Sequence, residues 1–100
     1  MEQNHIDLIL ANVGQEELLA QLAEEATELA HAALKLRRAY SGQNPTPVSS
    51  QKAFENLLEE IADIYVCIHV LGLDWGVNQT RISRTMFSKI ERWADRLKNT

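Results

Sequence analysis

Two short acidic patterns interrupt apolar stretches of this 100-residue chain. The first reads Glu24-Glu25-x-x-Glu28 and the second reads Glu60-x-x-Asp63. Residues three or four apart share one face of a helix, so each pattern predicts carboxylates that point the same general way. Like charges on one face are destabilising, and their cost rises as water is excluded. The two patterns together therefore predict a site that needs a counter-charge.

Asp63 is the most unusual of these acids. It is the one acid in an otherwise uncharged run that extends from Ile61 to Leu73. Acids are almost never fully buried unless they are paired or bound to a metal ion. We therefore expect Asp63 to lie in a largely apolar environment, where a cation compensates its charge.

The candidate ligands are carboxylate oxygens, which favour Mg²⁺ or Mn²⁺ over zinc or copper. A di-iron bundle is a weaker alternative, because it would place Glu-x-x-His on two helices. His31 follows Glu28 at the required spacing, but Asp63 stands where the second histidine would be needed. Either acidic pattern alone is typical of a solvated helix face. Their occurrence together, each on an apolar face, favours the metal site.

The hydrophobic spacing that positions these acids predicts an all-α chain, since the strict alternation of strands is absent. Thr46 is expected to cap the third helix, with proline at its first position. Gly42 and the surrounding serines and prolines predict a loop before it. The four predicted helices span Asn4–Asn12, Gln15–Tyr40, Pro47–Leu71 and Asn78–Leu97.

The second predicted helix carries Glu25 on its own apolar line, between Leu22 and Leu29. The third is apolar nearly all round after Ile61, which is typical of a helix surrounded by protein. One domain of residues 1–100 offers few helices to surround it. We therefore predict a helical bundle of about four helices that a second subunit completes. The predicted apolar line of the second helix is Leu18, Leu22, Leu29, Ala33 and Leu36. That of the third helix is Phe54, Leu57, Leu58, Ile61, Ile64, Tyr65 and Ile68, and that of the fourth helix is Ile82, Met86, Ile90, Trp93 and Leu97.

Charge is distributed unevenly along the chain. Residues 1–76 carry twelve acids and four bases, a net charge of −8, whereas residues 77–100 carry a net charge of +4. A basic segment beside an acidic body suits a metal-bound polyphosphate, and it equally suits a tail that docks on the body by ion pairing. Nucleic-acid binding is disfavoured by the acidic body.

One cysteine excludes a disulfide framework or a zinc site built on cysteines. No apolar run is long enough to span a bilayer, and the amino terminus lacks the pattern of a signal peptide. These features predict a cytoplasmic protein that does not act at a membrane.

The acidic patterns resemble those of the MazG-like all-α nucleoside triphosphate pyrophosphohydrolases. The resemblance covers residues 15–97, with 31 residues between the two patterns. It implies Mg²⁺-dependent hydrolysis of a nucleoside triphosphate to the monophosphate and pyrophosphate, by a homodimer or homotetramer. It further implies that the metal ligands are Glu25, Glu28, Glu60 and Asp63.

Within this resemblance, Glu24 is a candidate to orient or deprotonate the attacking water, because it adjoins the ligands. Lys89 and Arg92 would clamp phosphates, with Arg96 assisting. Two other classes of function remain open: a non-catalytic helical interaction module, and a nucleotide sensor with the same metal site but poor turnover. The base and sugar preference is not indicated by the sequence.

Overall fold

The computed structural model describes residues 2–42 and 48–99, and all regular structure in these ranges is helical. No helix in the described ranges has both the length and the apolar character needed to cross a membrane. The elements are α1 (Glu2–Asn12), α2 (Gln15–Ser41), α3 (Ser50–Val70) and α4 (Val77–Lys98). The prediction of an all-α chain with four helices is confirmed for this part of the chain.

The start of α3 differs from the predicted one. Thr46 and Pro47 lie outside the described residues, and α3 begins at Ser50. Its N-cap is Ser49, whose side-chain oxygen accepts a hydrogen bond from the backbone N–H of Lys52 at 3.2 Å. A serine hydroxyl in this position satisfies one of the N–H groups that a helix start leaves open.

The other helix ends lie within two residues of the predicted ones. Helix α2 ends at Ser41, and the next residue, Gly42, is left-handed with φ of 66°. The Gly42 N–H donates to the carbonyl oxygen of Arg38 at 3.0 Å. A left-handed glycine is the common way to end a helix, because it has no Cβ to clash.

Helices α2 and α3 form an antiparallel hairpin, and their contact is the main packing contact of the fold. Leu18 near the start of α2 packs against Val70 at the end of α3, and Ile6 of α1 joins them in the buried core. All three side chains are at most 6% exposed. Val13 and Leu71, both partly buried, pack against this core and seal the corner between α1 and α2.

Small side chains fill the rest of the hairpin interface. Ala53 is fully buried, and Ala32 and Cys67 are each 2% exposed. Ala32 is buried where the sequence analysis selected its neighbour Ala33, which is exposed. The placement of Ala33 on the apolar line was wrong, because steps of three and four residues carry the line from Leu29 through Ala32 to Leu36.

Helix α3 is not surrounded by protein in the single chain, and its enclosure by a second subunit stays a prediction. Phe54, Leu58 and Tyr65 of its predicted apolar line are 45%, 50% and 66% exposed. Val66 is also 56% exposed. One hairpin can bury only the side of α3 that faces α2, so the rest of its apolar surface remains open.

Helix α4 extends away from the hairpin. None of its described residues is buried, and Met86, Ile90 and Trp93 of its predicted apolar line are exposed. The radius of gyration is 17.4 Å, whereas a compact domain of this length has about 13 Å. The apolar line of α4 is therefore not covered within the single chain, and the second subunit expected to complete the bundle stays a prediction.

Candidate metal centre

The antiparallel register of the hairpin brings the two acidic patterns together. Because Leu18 lies beside Val70, positions further along α2 meet positions further back along α3, which sets Glu25 opposite Glu60 and Asp63. One carboxylate oxygen from each of these three acids lies within 4.8 Å of the others. Thus, residues 35 or more positions apart in the sequence form one acidic cluster.

The three acids differ in their exposure. Glu25 and Glu60 are half-buried, whereas Asp63 is exposed. The largely apolar environment expected for Asp63 is therefore not formed by the single chain, and it stays a prediction for the assembly with a second subunit. The reason is geometric: Asp63 lies on the open side of the hairpin, beside the line of contact with α2, so water reaches it despite its apolar neighbours in sequence.

The pKa of Glu25 is raised above its ordinary value of 4.5. Partial burial is the largest cause, followed by the negative charges of Asp63, Glu60 and Glu28. A hydrogen bond to Asp63, which the protonated Glu25 donates, acts in the same direction. These causes all disfavour a second or third negative charge at the cluster.

The pKa of Glu60 is raised as well, again mainly by partial burial. The negative charges of Asp63, Glu28 and Glu59 add to this effect. Glu28 is not one of the three converging acids, but its charge raises the pKa of both Glu25 and Glu60. The structure therefore places Glu28 beside the cluster rather than inside it.

Glu24 is exposed and contributes to a groove next to the cluster. This groove has a volume of about 370 Å³ and also includes Glu25, which links it to the acidic cluster. Polar side chains dominate its walls. Its remaining residues are Asn12, Val13, Gly14, Glu17, Ala20 and Gln21. Glu24 thus borders open space beside the candidate ligands, as a residue that contacts water or substrate would.

The three basic residues predicted to bind phosphate lie elsewhere. Lys89, Arg92 and Arg96 line a shallow hollow on α4, together with Asp95 and Asn99. Among the described residues, no ion pair joins these bases to an acid of the hairpin. In the single chain, the structure brings together the acids but not the predicted phosphate ligands.

Cys67, the single cysteine of the chain, is a neighbour of the cluster. Its side chain is buried, and burial raises the pKa of its thiol, as do the charges of Glu25 and Asp63. A thiol held neutral in this way is a poor metal ligand. Its position one helical turn after Asp63 is the sequence signal for this proximity.

A second polar group, not predicted from the sequence, lies at the end of α3. His69 Nδ1 is 3.3 Å from both carboxylate oxygens of Asp74, and Nε2 is 3.7 Å from Glu2. The Trp75 indole N–H lies 3.3 Å from the same Nδ1 atom. This group ties α1 to the turn before α4 and is structural in character.

The donor set of the cluster fits a hard divalent cation. Around Mg²⁺, adjacent oxygens are about 3.0 Å apart and opposite oxygens about 4.2 Å apart, given metal–oxygen distances of about 2.1 Å. Side-chain rotations would bring the three oxygens, which already lie within 4.8 Å of one another, to these distances. Three carboxylates from the chain would leave further coordination positions for water or phosphate oxygens, as Mg²⁺ usually requires.

Comparisons with protein-family models, with curated proteins and with solved structures each gave no match.

Proposed function

We propose that this chain hydrolyses a nucleoside triphosphate to a nucleoside monophosphate and pyrophosphate with the help of Mg²⁺. The observation that carries the proposal is the convergence of Glu25, Glu60 and Asp63 from two helices. The raised pKa values of Glu25 and Glu60 support it, because a cluster that disfavours its own negative charge gains from a cation.

In the proposed site, Glu25, Glu60 and Asp63 hold the cation, and Glu28 adds negative charge beside them. When bound, Mg²⁺ neutralises phosphate charge and lowers the pKa of a coordinated water. Glu24 orients a water molecule from the adjoining groove and accepts its proton. The water oxygen bonds to the α-phosphorus, the bond from that phosphorus to the bridging oxygen breaks, and pyrophosphate leaves.

Lys89, Arg92 and Arg96 are not part of this proposal, because they lie on α4 and apart from the acids. Their role in binding phosphate stays a prediction from the sequence. The groove beside Glu24 and Glu25 is the proposed place for the nucleoside, since it is continuous with the cluster and has polar walls.

The test is an assay of pyrophosphate release over a panel of ribonucleoside and deoxyribonucleoside triphosphates, with Mg²⁺ and with EDTA. We expect Mg²⁺-dependent release from at least one nucleotide. Glu60→Gln should lower kcat/KM at least about 100-fold, because it removes a direct metal ligand. Glu59→Gln is the matched control: it makes the same change one position earlier, on an exposed side chain.

If Glu60→Gln retains full activity, the assigned site is wrong. If the wild-type protein binds Mg²⁺ and a nucleotide but releases no pyrophosphate from any nucleotide, the sensor interpretation replaces the enzyme. If Mg²⁺ neither binds nor stabilises the chain, the acidic cluster is only a solvated surface.

A further inference from the structure

One nitrogen atom at the end of α3 faces two partners that make opposite demands on it. The indole N–H of Trp75 donates a hydrogen bond to Nδ1 of His69 at 3.3 Å. Both carboxylate oxygens of Asp74 lie 3.3 Å from the same Nδ1 atom. An imidazole nitrogen donates when it carries a proton and accepts when it does not. Nδ1 therefore bonds to Trp75 in one protonation state of the ring and to Asp74 in the other.

The other nitrogen of the His69 ring faces a carboxylate of a different helix. Nε2 is 3.7 Å from Oε1 of Glu2, at the start of α1. A negative charge beside Nε2 favours a proton on that atom, because the partner of one ring nitrogen determines the tautomer. In the neutral ring, Nδ1 then keeps the lone pair to which Trp75 donates. The proton that the ring gains from the solvent in acid is the one on Nδ1.

The bond to Asp74 replaces the bond to Trp75 once the ring is protonated. A hydrogen bond between a protonated histidine and a carboxylate is about twice as strong as one between neutral groups. The side chains of His69 and Asp74 are 40% and 32% exposed, so water screens their attraction only in part. A proton on Nδ1 would also point at the indole N–H, and two donors cannot bond to each other.

The charged groups that face the ring come from α1 and from the turn. Within residues 2–42 and 48–99, the ion pairs and side-chain hydrogen bonds of His69 are those with Glu2, Asp74 and Trp75. None of them reaches the ring from α2 or α4. In the same ranges, no such contact joins His69 to the acidic cluster, whose nearest member in the sequence is Asp63. The proton is therefore taken up outside the candidate metal centre.

Trp75 lies where the turn leads into α4. Its indole ring is beside Gly72, at which a Cβ atom would be 3.7 Å from Cδ2 of the ring. The next residue, Gly76, has a positive φ of 54°, a conformation that glycine adopts without a steric cost. Across the described ranges, α4 has no extensive contact with α1, α2 or α3. The turn therefore sets the direction of α4, and Trp75 anchors the turn to α3.

We infer that His69 is a proton-controlled switch in the turn between α3 and α4. At about pH 8 the neutral ring holds Trp75, and at about pH 5 the protonated ring holds Asp74 and releases the indole, since histidine ordinarily changes its charge in this range. The anchor of the turn thereby moves by one residue, away from Gly76. The switch is independent of the proposed hydrolysis.

The test is a pH titration of the wild-type chain followed by ¹H–¹⁵N NMR of its two indole N–H groups. From about pH 8 to about pH 5, the proton resonance of Trp75 should move upfield, to the position of a water-exposed indole. Trp93, which is 64% exposed on α4, is the internal control and should not move. Its substitution, Trp93→Phe, assigns the two resonances. Circular dichroism at 222 nm should stay constant over the same range, which shows that the chain remains folded.

The imidazole of His69 provides a second measurement on the same sample. Its nitrogen resonances should show the Nε2–H tautomer at about pH 8 and should titrate with the same midpoint as the Trp75 indole. His69→Gln keeps a hydrogen-bond acceptor that does not titrate, so its Trp75 resonance should be independent of pH in this range. His31→Gln is the matched control, because it makes the same change on an exposed histidine of α2. It should titrate as the wild-type chain does.

Four results would overturn the switch. They are a Trp75 resonance that stays fixed over the titration, a movement that persists in His69→Gln, an Nδ1–H tautomer at about pH 8, and a midpoint below about pH 4.5, which belongs to a carboxyl group. The wild-type titration decides the matter even if His69→Gln fails to fold.

Discussion

Asp63→Asn is expected to change the thermal stability of the protein in opposite directions with and without Mg²⁺. In EDTA, the variant should melt at a higher temperature than the wild-type chain. The charge of Asp63 raises the pKa of both Glu25 and Glu60, so its removal relieves repulsion in the folded state. With Mg²⁺, the order should reverse, because the variant has lost one of the three converging acids that are proposed to bind the cation.

The size of the reversal follows from binding linkage. Mg²⁺ at 100 times its dissociation constant stabilises the folded chain by about 2.7 kcal/mol. For a domain of about 100 residues, this corresponds to a rise in Tm of roughly 10–20 °C. Loss of a direct ligand should weaken binding at least about 100-fold, given that loss of a supporting residue costs about 10–100-fold. The variant would then gain only about 0.4 kcal/mol, or roughly 2–3 °C.

The assay is thermal unfolding followed by circular dichroism at 222 nm and pH 8, with Mg²⁺ titrated against NaCl at constant ionic strength. Asp95→Asn on α4 is the matched control, since it makes the same change on an exposed helical aspartate. Its response to Mg²⁺ should equal that of the wild-type chain. An Asp63→Asn variant that gains as much stability from Mg²⁺ as the wild-type chain would refute the metal site.

Three further predictions concern stability without metal. The pKa values of Glu25 and Glu60 are raised on folding, so the folded chain loses stability as pH rises from 4.5 through the raised values. A Glu25→Gln/Glu60→Gln variant should therefore have a higher Tm than the wild-type chain at pH 8, and this difference should disappear below about pH 4.5. A higher Tm of the variant that persists below about pH 4.5 would contradict the linkage of stability to these two carboxyl groups. Leu18→Ala should lower the free energy of unfolding in urea by about 2–4 kcal/mol, since it opens a cavity between three helices. Ser49→Ala should lower it by about 1 kcal/mol through loss of the N-cap, with Ser50→Ala, one position inside the helix, as the nearly neutral control.

Helix positions were predictable from the sequence because local spacing determines them. Gly42 ended α2 as expected, and the end of α3 fell within one residue of the prediction. The start of α3 was harder, because Thr46 and Ser49 are both good N-cap residues. A sequence pattern does not say which of two such residues the helix will use.

The acidic cluster could be predicted in its membership but not in its environment. Glu25, Glu60 and Asp63 were selected because their spacing places each group on one helix face, and the structure brings these three together. Periodicity cannot show how much of a helix its neighbours cover. For this reason the sequence did not show that Asp63 and Trp93, both expected to face apolar neighbours, are exposed in the single chain. The same limit applies to any single chain whose apolar surface exceeds what its own helices can cover.

The hairpin register carries a consequence for how the cluster can be adjusted. The three carboxylate oxygens lie within 4.8 Å of one another, and one helical turn advances about 5.4 Å. A slide of α3 along α2 by a single turn would thus separate Glu25 from its two partners completely, whereas a slide of one residue, about 1.5 Å, would alter the spacing without breaking it. The distances between the three carboxylates therefore depend directly on the axial alignment of α2 and α3. If the proposed metal site exists, any contact that shifts α3 by a fraction of a turn would change its cation affinity without contacting any of the three acids.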